Sequence, residues 1–169
     1  DDIASPYGFP TRHITTITSD GSGEKKGTFS TTLLPATVTG YGFPSAAMAY
    51  DGYRVISQPV SLAGDKDVAD FKESPLHPSA EDWLWFPGAG QAGVRYCDFA
   101  PGSGFPLHTT STIDFGVVIF GTLECILDSG ETRTLHPGDM IVQRGTTHAW
   151  RNPSDSVWTR GVFFILGAE

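Results

Sequence analysis

The chain has 169 residues, a formal net charge of −8, 20 Gly and 12 Pro. That length fits one domain with a substantial core, and the acidity argues against a nucleic-acid surface and an anionic membrane. No stretch has the length and apolarity of a membrane helix, and residues 1–15 show no basic start followed by an apolar run.

In chain order, residues 1–10 read as a loose arm. RHITTITS at 12–19 alternates and is rich in β-branched residues, so it is a predicted strand. The polar cluster 19–27 is a turn, and 28–34 returns as the second strand of a hairpin. Residues 35–52 carry Pro35, Gly40, Gly42, Pro44 and Gly52 and are predicted mostly as loop, with a short strand at 46–50. A further strand is expected over 53–62. The acidic stretch 63–82 reads as a surface loop with one helical turn at 68–72. From 94 onward short strands alternate with Gly/Pro turns: 94–100, 109–119, 123–127, 132–135, 140–144, 149–151 and 157–166. That spacing predicts an all-β sandwich or barrel. The expected layout is a single domain over 1–169. The N-terminal arm and strands occupy 1–62, the acidic loop 63–82 and the barrel core 83–169. Cys97 and Cys125 lie in strand-like runs without CxxC spacing, which reads as two buried thiols in a reducing, cytoplasmic setting.

Two segments carry the chemistry. The first is G102-x5-H108-x-T110-x3-D114-x6-G121. The second is G138-x5-R144-x-T146-x-H148-x3-N152. They resemble the two motifs of the cupin superfamily, with changes. Thr110 stands at the place of the second histidine, Asp114 at that of the glutamate and Arg144 at that of a proline. The gap before His148 is one residue short. The text resembles small single-domain cupins of fungal and bacterial secondary metabolism. The resemblance implies a jelly-roll β-barrel with His108, Asp114 and His148 meeting inside it. Strand alternation places Thr110 and Asp114 on the face of His108, with Val118 and Phe120 continuing that face. Trp150 shares the parity of His148.

Three readings of the cluster stand side by side. Two imidazoles and a carboxylate are a ligand set for one divalent transition metal: Fe, Mn, Ni or Zn. Without a metal, the same groups are a general acid–base set for dehydration, isomerisation, decarboxylation or cyclisation of a small aromatic or polyketide-like substrate. The third reading is a paired polar network in a ligand-binding, non-catalytic barrel. An oxygenase or oxidoreductase is the remaining enzymatic alternative. Trp83, Trp85, Phe86 and Tyr96 are expected to floor an aromatic pocket or to be ordinary core. Arg144 is either a pocket cation or a solvent-facing strand end. His136 sits at an exposed turn. The partners expected are a small-molecule substrate and a second copy of the chain, because the hairpin at 12–34 has an unpaired edge.

Overall fold

The computed structural model describes residues 4–19, 21–34, 36–39, 47–74 and 84–169. Trp83, His77 and the acidic residues Glu81 and Asp82 of the expected loop lie outside these. Three antiparallel sheets are present among the described residues. The strands β1 (Thr11–Ser19) and β2 (Lys25–Leu33) form a hairpin of their own. A six-stranded sheet contains β3 (Ala36–Thr39), β4 (Ala47–Val55), β5 (Ala92–Phe99), β7 (Thr112–Phe120), β10 (Met140–Arg144) and β12 (Thr159–Gly167). A four-stranded sheet contains β6 (Gly104–His108), β8 (Leu123–Leu127), β9 (Thr132–Leu135) and β11 (His148–Arg151).

The two larger sheets face each other across one core. Cys97, Phe99, Val118, Phe163 and Ile165 come from the first, and Phe105, Leu123, Cys125, Leu135 and Trp150 from the second. Alternation drives the packing. In β7 every second residue from Thr112 to Val118 is buried because successive side chains point to opposite faces. Among the described residues their ladders do not join into one closed ring. This is an all-β, jelly-roll arrangement.

Several expectations change. The strands expected at 46–50 and 53–62 are one strand, β4; its register shifts between Asp51 and Tyr53, so Gly52 marks a bulge rather than a break. The segment after Val55 leaves the sheet. The helical turn expected at 68–72 is a full helix, α1 (Lys66–Glu73), anchored by buried Val68 and Phe71. Because β4 pairs with β5, strands from the N-terminal region belong to the same sheet as the expected core.

The N-terminal arm is not loose over residues 4–10. The Tyr7 hydroxyl donates to the Trp158 carbonyl at 2.6 Å, and Arg160 Nη2 donates to the Gly8 carbonyl at 2.7 Å. The same guanidinium grips the fully buried Asp98 with two bonds of 2.6 Å, and Tyr50 donates to that carboxylate at 3.2 Å. Buried ionic groups persist where hydrogen bonds complete their coordination.

Candidate active site

The first motif does not form one strand. It is split between β6, which ends at His108, and β7, which begins at Thr112. Residues 109–111 carry the chain from the four-stranded to the six-stranded sheet. His108 and Asp114 therefore reach the interior from opposite sheets, and both border one cavity of about 30 Å³. That volume holds about one water. Its other walls include Phe99, Phe105, Trp150 and Phe163.

His148 sits behind His108. Strand β11 pairs with β6 so that His148 lies opposite His108, and the ring centroids are 4.4 Å apart. Each imidazole is oriented by the main chain. His108 Nδ1–H donates to the Pro106 carbonyl at 2.7 Å, and His148 Nδ1–H to the Thr146 carbonyl at 2.9 Å. A carbonyl only accepts, so each ring carries a proton on Nδ1, and the neutral form of either ring has its lone pair on Nε2. His148 is fully buried and its Nε2 has no hydrogen-bond partner. Burial lowers its pKa to about 4, so the ring is neutral near pH 7. Trp150 meets His148 edge-on, with centroids 5.3 Å apart.

Asp114 is buried, and its Oδ1 has no partner. Burial raises its pKa, while the Thr112 hydroxyl, Arg95 and His108 act in the opposite direction. Thr110 and Thr112 share a hydroxyl bond of 2.7 Å, so Thr110 reaches Asp114 through Thr112. Gln143 is the cross-strand neighbour of Asp114. Its side-chain NH2 donates to Thr146 and its Oε1 is buried without a partner.

Three sequence-predicted residues lie elsewhere. Phe120 is exposed and stacks on Tyr7 with centroids 4.8 Å apart. The β7–β12 register shifts between Arg160 and Gly161, and that irregularity breaks the alternation which would have turned Phe120 inward. Arg144 is exposed because its neighbour Gln143 takes the inward position on β10. Trp85 is buried but packs on the backbone of Gly93, where an added Cβ would come within 2.8 Å of the ring. Its neighbours Leu84 and Phe86 line the cavity instead. His136 is exposed, as its turn position predicts.

One residue was missed. Arg95 lies on β5, alternates with Cys97 and Phe99, and borders the cavity beside Asp114. The alternation within the predicted strand 94–100 was the signal that places these three on one face.

Both histidines have the tautomer that a metal ligand needs. Among the described residues, however, no group of three or more His, Cys, Asp or Glu side chains is arranged to hold a metal ion. The two imidazoles and Asp114 as placed do not fit a three-ligand centre. Cys97 and Cys125 are free, buried thiols, pushed up to about 12 and about 11 by burial. No helix among the described residues is long and apolar enough to cross a membrane.

A family model for the cupin domain matches residues 95–160, the span containing both motifs. The chain is 37% identical over 171 residues to phomopsin biosynthesis cluster protein D of Diaporthe leptostromiformis, covering 99% of this chain and 82% of that protein. It is also 37% identical over 159 residues to oryzines biosynthesis cluster protein J of Aspergillus oryzae, covering 94% and 83%. A cupin-domain-containing oxidoreductase of Neurospora crassa is 40% identical over 102 residues, covering 59% of this chain and 47% of that protein. With two facing antiparallel sheets, both motif segments crossing from one sheet to the other and relatives matched along nearly its whole length, the chain belongs to the cupin family.

Proposed function

We propose that this cupin is an enzyme of small-molecule secondary metabolism, a lyase or isomerase that moves protons on a small organic substrate. The biosynthesis-cluster relatives support the metabolic setting. The observation that carries the chemistry is the pair His108 and Asp114 on one cavity. His108 keeps its Nδ1 proton on the Pro106 carbonyl, so Nε2 is its proton-accepting atom. Burial raises the pKa of Asp114, and in its protonated form this carboxyl donates. In a dehydration, Nε2 of His108 takes the proton beside a carbonyl group. The electrons of that C–H bond form the C=C bond, and the Asp114 proton leaves with the departing hydroxyl as water. His148 is a positioning residue here. Its ring is kept neutral, so a proton on His108 meets no second imidazolium 4.4 Å away. Thr110 and Thr112 hold Asp114, and Trp150 walls the substrate space.

The test is proton exchange in heavy water. The protein is incubated with a panel of enolisable aromatic ketones and β-hydroxyketones, and products are read by mass spectrometry. Deuterium incorporation or loss of water, abolished in His108→Ala, is expected. A relative named as an oxidoreductase favours a second reading; a product gained only with dioxygen, on protein that retains metal by elemental analysis, selects it. Binding without any conversion selects a ligand-binding role.

A further inference from the structure

A cavity of about 30 Å³ is too small for an organic substrate, so the space such a substrate needs is occupied by side chains. Two of the lining side chains, Leu84 and Phe86, come from outside the strands. They belong to the segment that runs into β5. Arg95 holds this segment. Its Nη2 donates to the Trp85 carbonyl, and its guanidinium lies against the Phe86 ring, 4.9 Å from the centroid.

Arg95 is also a buried cation. It is 6% exposed and makes no ion pair with another described residue. Asp51, its cross-strand neighbour on β4, bonds Arg54 Nε at 3.0 Å. Asp51 and Asp114 act on Arg95 through their charge but form no hydrogen bond with it, and burial pushes the Cys97 thiol up to about 12. A buried guanidinium without a paired anion is costly, and a carboxylate satisfies it best because the planar fork matches two oxygens.

We propose that the space between the two sheets takes a substrate bearing a carboxylate, that Arg95 receives this group, and that Leu84–Phe86 is displaced to admit it. The carboxylate replaces the Trp85 carbonyl and the Phe86 ring at the guanidinium, and the rest of the substrate occupies the volume vacated by Leu84 and Phe86. This deepens the catalytic reading above and rests on it for where the substrate reacts, but binding is measurable without turnover.

The probes are benzoate and hexanoate, each against its amide, titrated into the full chain with calorimetry and tryptophan fluorescence. At least one carboxylate is expected to bind about tenfold or more tighter than its amide, the worth of a charged hydrogen bond. Arg95→Met should erase that preference, and Arg95→Lys should keep part of it. Phe86→Ala thins the plug and should raise the association rate about tenfold. Equal binding of acid and amide, no carboxylate binding at millimolar concentration, or a preference that survives Arg95→Met overturns the anion site. If Arg95→Met does not fold, loss of all preference in folded Arg95→Lys overturns it. An unchanged association rate in Phe86→Ala overturns the plug. Carboxylate preference without proton exchange sinks the catalytic reading alone, and exchange on uncharged substrates without that preference sinks this one alone.

Discussion

His108 and His148 face each other across the β6–β11 ladder, and each spends its Nδ1 proton on a carbonyl two residues before it in the chain. The same local turn is used twice, so both rings enter the interior in one tautomer. Their closeness sets their difference: one borders the cavity, while the other is sealed behind it and kept neutral.

The sealed ring makes stability pH-dependent. The folded pKa of His148, about 4, lies below the ordinary 6.5, so the unfolded chain binds more protons between those values. Stability should therefore fall as pH drops from 6.5 to 4, by up to ~3 kcal/mol from this group. The raised carboxyls of Asp114 and Asp51 act oppositely, favouring the fold at low pH, so the net loss is smaller. Urea unfolding at several pH values checks this. The slope in His148→Gln should be flatter than in the parent protein, and equal slopes would show that His148 is not the group responsible.

Asp114→Asn keeps the shape and removes the transferable proton. Turnover should drop by roughly 10²–10⁴-fold, the usual worth of a positioned acid or base. The fold, followed by circular dichroism, should be retained. Loss of a bound metal together with activity would instead assign Asp114 to a metal site. Unchanged turnover in folded protein would remove it from the mechanism.

Gly104 begins β6 against β11. A Cβ there would overlap the carbonyl oxygen of Trp150, which is main chain and cannot rotate away. Gly104→Ala should cost about 3 kcal/mol or more and disturb the β6–β11 ladder that aligns the two histidines. Thermal melting measures the cost. A melting temperature within a degree of the parent's would show that the ladder tolerates the shift.

A homodimer is expected. Among the described residues the hairpin β1–β2 is strand-paired to neither larger sheet, and it borders a groove with Val94, Tyr96, Val162 and Phe164 of the six-stranded sheet. The outer face of the six-stranded sheet is apolar in register: Met140, Val117, Val162 and Tyr96 form one row, and Val142, Phe115, Phe164 and Val94 the next. Met140, Val142 and Phe164 are exposed. Such a patch, repeated by a two-fold axis, covers itself. Light scattering should return twice the 18.1 kDa chain mass, and Val142→Glu with Phe164→Glu should return one chain mass. A parent protein that is monomeric at micromolar concentration contradicts the dimer.

The fold class was legible in local pattern. Spaced short strands and the two motif segments set where the chain turns, because Gly/Pro punctuation and alternation are local properties. The sequence also identified His108, Asp114, His148 and Trp150, all of which reach the interior or its lining. Alternation alone determined that Arg95 shares a face with Cys97 and Phe99, though an isolated arginine in a strand gave no reason to choose it. Tertiary structure decided the rest. A register shift turned Phe120 outward, since a bulge inserts one residue and reverses every side chain beyond it. The packing of Trp85 on Gly93 depends on a long-range approach that no local pattern encodes. The roles of the two histidines, with identical local hydrogen bonds, were separated only by what surrounds them. Burial and charge are sums over the whole fold, and they left His108 on the cavity, His148 sealed and Arg95 buried at the cavity wall.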